Sequence, residues 1–358
     1  MATTDFWVNH PLAVKLWSRK LYEDVVGKGY YGRFIGKGSN SLFQIKEETS
    51  KGPGDKVTFG LRALPTGAGV QGDATLEGNE EALVTYSDSV TIDQLRHAFR
   101  SGGKMSEQRV PFSVREELRG AAEDWWFERL ETSIANQLAG YADQTDVRYT
   151  GMVAATEPST ATGITRIVVG GGHTAESSLS ATTTHAIKLS DLDKAAAIAK
   201  TQTPRIRPIR VDGKELFVCF LHPYQILQLR QDASTAGNFF DVQKAQLTGG
   251  KISDNPIITG GEFIYNGTIV YEWPYLPVVK STVSSSTSYR RGVFCGAQAL
   301  AIAVGMDNSA TKMSWVEERF DYQNQLGVSA GMIFGAKKTR FNSSDYATIV
   351  MSGYAPAP

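Results

Sequence analysis

The chain of 358 residues carries 37 Lys plus Arg against 37 Asp plus Glu, so it has no net charge with its histidines neutral. Hydrophobic residues at 41% supply a core, and charged residues at only 21% exclude a largely disordered chain. The missing basic excess argues against a general nucleic-acid binder. No run of eighteen apolar residues is present to cross a membrane as a helix, and the opening MATTDFWVNHPLAVKLW lacks the basic start and apolar centre of a signal peptide.

In chain order, Pro11 suits the first position of a helix running to about Val25, with Val14, Leu16, Trp17, Leu21 and Tyr22 as its apolar residues. A glycine-broken stretch, GKGYYGRFIGKGSNSLFQIKEE, then leads to a long extended arm. Val57, Phe59 and Leu61 alternate with Lys56, Thr58 and Gly60, the period of a half-buried strand. After a turn-rich tip from Pro65 to Asn79, a second extended stretch returns through Leu83, Thr85, Tyr86, Val90 and Ile92. Two strands alone are marginal in water. The arm therefore needs cover from another part of this chain or from another chain.

The next element is a long helix, Val114–Ala139. Ser113 and Glu116 form a capping-box pattern, Pro111 lies just outside, and Gly140 suits the stop. Val114, Leu118, Ala122, Trp126, Leu130, Ile134 and Leu138 recur every fourth position. On a helix of period 3.6 that stripe drifts by roughly 40° per step and spirals around a cylinder roughly 40 Å long. Such a helix is contacted on different sides along its length. It is a spine.

Between Thr145 and Ser190 the composition shifts to Ser, Thr, Ala and Gly, a loop-rich connection with a weak strand signal at Ile164–Val169. A helix capped by Ser190 is expected over Asp191–Lys200, and Asp212-Gly213 is expected to join strands 206–211 and 214–221. Pro223 opens a helix to about Arg230, Asn266-Gly267 is a second two-residue hairpin, and the C-terminal part reads as short strands. The class is α+β.

Several motif matches point to chemistry without its context. Gly327-Val328-Ser329-Ala330-Gly331 fits G-x-S-x-G, but Met332, Ile333 and Phe334 continue as strand and no histidine follows His222. A nucleophile elbow needs a helix there and a later histidine. Two G-x-G-x-x-G matches, at Gly27–Gly32 and Gly67–Gly72, lack the strand before and the helix after. Val168-Val169-Gly170-Gly171-Gly172 lacks the Gly-Lys-Ser/Thr of a phosphate loop. All three read as turns. His10, His97, His173, His185 and His222 have no metal spacing, and His222 before Pro223 reads as a helix cap. Cys219 and Cys295 lie in apolar stretches and read as buried free thiols. Glu116, Glu117, Glu123, Asp124, Glu128 and Glu131, interleaved with Arg115, Arg119 and Arg129, read as a solvated or subunit-facing helix surface. No catalytic, cofactor-binding or metal site is expected.

Ordered segments carry a resemblance. GDKVTFGLR, GAGVQGD, LEGNEEAL, VTIDQLRHA and EQRVPF, followed by the Trp125-Trp126 helix, closely resemble the major capsid proteins of tailed bacteriophages, in the branch typified by coliphage N-four. RPIRVDGKELFVCFLHPYQILQLRQD, FIYNGTIVYEWPYLPVV, GAQALAIAVG and QLGVSAGMIFGAKKTRFNSSDYATIV continue the series in the same order. The resemblance implies the HK-ninety-seven-like (Johnson) capsid fold. Its expected parts are an N-terminal arm at 1–32, an extended E-loop hairpin at 55–92 and a peripheral domain from 33–54, 93–189 and 318–343, with the spine helix inside it. An axial domain is expected from 190–317 and 344–358.

The function implied is a major capsid protein that self-assembles into hexamers and pentamers of the icosahedral head around double-stranded DNA, which it holds non-specifically. An encapsulin-type, non-viral shell former of the same fold is the alternative. Implied partners are further copies of itself, a scaffolding protein, a portal and a decoration protein; implied places are the virion and, during assembly, the host cytoplasm. Neither membrane nor cofactor is implied. Open main-chain groups on an arm are satisfied by strand addition to a neighbour. The expected inter-subunit contacts are therefore Phe59, Leu61, Arg62, Glu77, Asn79 and Glu80 on the arm, with Arg96, Arg100, Lys104 and Arg109 near its base as ion-pair partners.

Overall fold

The computed structural model describes residues 21–26, 28–46, 55–62, 67–146, 153–161, 164–211, 213–231, 263–279, 289–305 and 312–358. Two mixed sheets and the spine helix share one continuous apolar core. The first sheet is built on the strand Gln325–Lys338. Its first half pairs antiparallel with Ser314–Phe320 through a turn at 321–324, and on its other edge with Asp93–Arg100. Its second half pairs antiparallel with Leu300–Val304, on which Phe43–Lys46 adds in parallel. The second sheet runs in the order Phe263–Tyr265, Thr268–Glu272, Lys214–Leu221, Tyr289–Cys295, Thr348–Tyr354, Ile167–Val169. Helices Leu189–Thr201 and Pro223–Gln231 accompany it.

The spine helix spans Val114–Ala139, as its sequence pattern indicates. Ser113 sits at the N-cap with extended φ/ψ, but its side chain makes no capping bond; its carbonyl accepts from the Glu116 and Glu117 amides at 3.1 and 3.2 Å. Gly140 ends the helix at φ 65°, a left-handed conformation that only glycine adopts without strain. The spiral stripe has the consequence expected of it. Ala122, Trp126 and Leu130 are buried on one face, whereas Glu131–Ala139 is buried all round. Trp126 meets Phe334 edge-on at 6.4 Å, and Trp125 stacks on His97 at 4.1 Å, so the helix lies across the first sheet. Arg115 holds Glu317 with three hydrogen bonds of 2.8–3.0 Å, Arg119 pairs with Asp24, and Lys28 pairs with Glu123. The charged face of the spine is thus partly committed inside the chain.

Elsewhere the structure refines the sequence expectations. Residues 21–26 are helical, and the rest of the expected N-terminal helix lies outside the described residues. The helix expected from Ser190 begins at Leu189 with Lys188 at its N-cap, whose amide donates to Asp191 at 3.1 Å; Asp191 outcompetes Ser190 as the local acceptor. The strand before Gly213 shortens to Ile209–Val211. Asn266 and Gly267 take φ of 45° and 71°, as a two-residue hairpin with both central residues left-handed requires. Asp93–Arg100 is a full strand beyond the extended stretch expected to end near Ile92. A boundary at 317 does not follow the hydrogen bonding, because Leu300–Val304 and Ser314–Phe320 both pair with Gln325–Lys338. Likewise Ile167–Val169 pairs with Thr348–Tyr354, not with the spine's sheet.

Buried charges tie these layers together. Arg291 is 4% exposed; it donates to the carbonyls of Ala139 and Gly140 and forms ion pairs with Glu176 at 2.6 Å and Glu157 at 2.8 Å. A cation thus closes the C-terminal end of the spine, where the unpaired carbonyls and the helix dipole favour one. Glu131, fully buried, accepts from the Trp273 indole at 2.6 Å and from the Tyr31 amide at 3.4 Å. Burial pushes its carboxyl up to about 7. Cys219 and Cys295 are free, buried thiols on adjacent strands, as their apolar surroundings suggested.

Candidate subunit interface

The arm grows from the first sheet as a two-stranded ladder, with Lys56–Arg62 antiparallel to Thr85–Thr91. Its root is anchored. Val57 and Val90 are buried against Ala301 and Ala303, and Phe59 lies half-buried beside them under the Lys46 ammonium, 5.2 Å from the ring centroid. Lys337 reaches Asp88 at 2.6 Å, the Arg340 amide donates to the same carboxylate at 2.9 Å, and Tyr86 lies on Phe341. Gly335 is required at the crossing, since a Cβ there would stand 2.0 Å from the Thr91 carbonyl oxygen.

Beyond the ladder, residues 67–84 form no helix or strand. The turn is held by bonds within the arm: the Gly67 amide to Glu81 at 2.8 Å, the Gly78 amide to Glu80 at 2.8 Å, and the Asn79 side chain to the Thr75 carbonyl at 2.9 Å. Leu76 is 61% and Leu83 63% exposed, and Val84 is exposed beside them. Asp73, Glu77, Glu80 and Glu81 give this tip four carboxylates, and it has no lysine or arginine. It is an acidic, apolar-studded finger.

A surface of the opposite character lies at the foot of the spine. Arg96, Arg100, Lys104 and Arg109 are all exposed on the strand Asp93–Arg100 and the short helix Lys104–Gln108 with its C-cap. Arg100 lies over the Phe320 ring at 4.5 Å, and Asn324 accepts from the Lys104 amide, so the turn at 321–324 props the helix. Among the described residues Arg96, Lys104 and Arg109 pair with no carboxylate. Met105 at 64%, Phe112, Phe320 and Tyr322 are exposed apolar groups of the same region.

The expected contact residues therefore divide. Glu77, Asn79 and Glu80 are exposed on the tip, and the four cations are exposed at the base. Phe59 is engaged within the chain, while Leu61 and Arg62 pair through their backbones with Tyr86 and Thr85. Leu76, Met105, Phe112 and Tyr322 are not among the expected contacts, and Leu83, expected on the returning stretch, lies before the strand, which begins at Thr85. Large apolar residues in turn-rich or charged stretches, without partners at strand or helix period, were the available signal.

The motifs suggestive of chemistry find no such setting. Ser329 lies mid-strand opposite Val316 and Ala98, without a turn or a following helix. His97 pairs with the next residue, Ala330, and so projects from the other face of the sheet, against Trp125. The match at Gly67–Gly72 lies in the irregular tip, and Gly170–Gly172 makes a tight turn after its strand, with Gly171 at φ 70°. His222 acts as a cap, its Nδ1 accepting from the Tyr224 amide at 3.1 Å, and burial with Arg290 nearby pushes it down to about 3. Among the described residues no cluster of three metal-ligating side chains occurs, and no helix is long and apolar enough to cross a membrane.

Comparison with known proteins agrees with this architecture over nearly the whole chain. The profile of a family described as phage capsid protein matches residues 5–357. The major capsid protein of Pseudomonas phage KPP25 is 29% identical over 353 residues, which is 92% of this chain and 89% of that one. The capsid of Ralstonia phage GP4 superposes with a TM-score of 0.78 at 30% identity, covering 100% of this chain and 99% of its own. The cyanophage Pam1 capsid shares the fold, with a TM-score of 0.73 at 21% identity over 99% and 100% of the two chains. The sequence match, the spine across its sheet and the projecting arm converge on one assignment: the chain belongs to the phage capsid protein family.

Proposed function

We propose that this capsid subunit assembles into hexamers and pentamers of an icosahedral head around double-stranded DNA, and that its arm is the part lent to a neighbour. The observation that carries the reading is complementarity within one chain. The tip of the arm is acidic and exposes Leu76 and Leu83; the foot of the spine is basic and exposes Met105 and Phe112. The tip of one copy and the foot of another are complementary in charge and in exposed apolar groups. Heterologous contacts of this kind close into rings.

The region around the first sheet, with the spine, serves as the peripheral domain and the second sheet as the axial domain. The pairing of 300–304 and 314–320 with Gln325–Lys338 supports counting them with the former, and that of 167–169 with Thr348–Tyr354 supports counting it with the latter. The chain carries no chemistry of its own in this reading, which the placement of Ser329 in an uninterrupted strand supports. A scaffolding protein, a portal and a decoration protein are its further partners, and assembly takes place in the host cytoplasm.

Sedimentation velocity and negative-stain microscopy of the purified chain over a range of concentrations test the reading. Closed shells, or hexamers and pentamers, are expected alone or on co-expression with the scaffold. A 39.0 kDa monomer under both conditions would remove it.

A further inference from the structure

The segment between the strand Ile167–Val169 and the helix Leu189–Thr201 folds back as a loop whose neck is closed by two histidines. The Nε2 atoms of His173 and His185 lie 2.9 Å apart, with the rings at 70°. His185 Nδ1 accepts a hydrogen bond from the Ser180 amide at 2.8 Å. A backbone N–H can only donate, so this Nδ1 carries no proton. The neutral ring then holds its proton on Nε2 and donates it to Nε2 of His173, whose own proton sits on Nδ1. The same bond disfavours a metal held between the two Nε2 atoms, because His185 would need its Nδ1 protonated to free the other nitrogen.

Beyond this neck the loop is fastened at two points. Glu176 holds Arg291 at 2.6 Å, and the carbonyl of the buried Leu179 accepts from the Tyr289 hydroxyl at 3.2 Å. Arg291 in turn binds the last carbonyls of the spine helix. The loop, the cation and the end of the spine form one connected unit.

We propose that the His173–His185 contact is a pH-sensitive clip that holds residues 174–184 over Arg291 and releases them on acidification. A proton added to His173 sets two N–H groups against each other at 2.9 Å. A proton added to His185 goes onto Nδ1 and opposes the Ser180 amide, leaving the Ser180 hydroxyl, 3.2 Å away, as the acceptor there. Either one breaks the chain of bonds. Among the described residues no neighbouring anion offsets this. Gly170–Gly172 add no ionisable side chain, Tyr354 beside Gly353 brings a phenol and no carboxylate, and Ser180, Thr182 and Thr184 offer hydroxyls. Glu176 is taken by Arg291, Asp191 is taken by Lys194 and the Lys188 amide, and Lys188 itself adds positive charge.

Burial, with His173 beside it, holds His185 below the ordinary histidine range. Because the folded value is depressed, the clip's stabilisation is complete above about pH 6.5 and is lost as pH falls through the lower folded value.

Hydrogen exchange on the full chain at about pH 5 and about pH 7.5, corrected for intrinsic exchange, tests the clip. Protection of peptides covering 174–184 is expected to fall about tenfold at the lower pH, while those from the second half of the spine keep theirs. In the His173→Gln/His185→Gln variant the acid response is expected to disappear. Equal protection at both pH values in the wild type, or the same acid loss in the double variant, overturns the clip. Imidazole ¹⁵N spectra of the unassembled wild type give a second reading that needs no variant: His185 must show its proton on Nε2, and a proton on Nδ1 would contradict the proposal.

Discussion

Deleting residues 65–79 is expected to leave a folded subunit that no longer closes into shells. The bonds that shape the tip run within the arm, and Leu76 contributes nothing to the core from its exposed position. Its removal should change unfolding stability little, since loop-closure entropy alters by only about 0.6 kcal/mol for each twofold change in loop length. Assembly is a different matter. Each contact between an arm tip and a basic foot is worth little as an isolated surface pair, about 0.2–1 kcal/mol for an exposed ion pair. A closed ring repeats the contact at every boundary, so a small loss per contact becomes decisive for closure. Urea unfolding and electron microscopy of the same preparation separate the two effects. Intact particles from the deletion would deny the arm its role.

The second large effect lies in the fold. Asp345→Ala is expected to cost about 3–5 kcal/mol, the cost of breaking a buried ion pair from one side. Asp345 is fully buried, accepts hydrogen bonds from Lys338 Nζ at 3.0 Å and the Ser159 amide at 3.3 Å, and forms an ion pair with the Arg340 guanidinium at 3.4 Å. Lys338 is 1% exposed and Arg166 is fully buried, so removing the carboxylate strands cations that water cannot reach. Arg166 already leaves two nitrogens without a hydrogen bond to protein and leans on the field of Asp345. Against a domain stability of about 5–15 kcal/mol, such a loss shows as a large drop in the urea midpoint. A change below about 1 kcal/mol would mean that the pair is solvated in solution.

The sequence was legible where local rules act alone. The spine could be bounded to the residue because a cap, a four-residue stripe and a left-handed glycine all fall within one segment. The arm hairpin and the Asn266-Gly267 turn were legible for the same reason, since period and turn chemistry are local. What escaped depends on distant partners. The half-buried set Leu95, His97 and Phe99 marks a strand only once Gln325–Lys338 lies beside it. Lys338 and Asp345 stand in a stretch that reads as charged surface, and nothing in its spacing shows that both are enclosed. The sheet partners of Leu300–Val304 likewise depend on topology: they are Gln325–Lys338 and Phe43–Lys46, both distant in sequence. On the arm, alternation suggested Phe59 for a neighbour, but Lys46 and the alanines of the first sheet already hold it.

The central claim, that the acidic tip of one copy meets the basic foot of another, is tested most directly by exchanging the charges. One variant carries Asp73→Lys, Glu77→Lys and Glu80→Lys; a second carries Arg96→Glu, Lys104→Glu and Arg109→Glu. Each alone is expected to fold and to fail in shell formation, because like charges then face each other. The chain carrying all six changes is expected to form shells again. Shells from either reversed variant alone, or no recovery in a combined chain that is shown to be folded, would contradict the account.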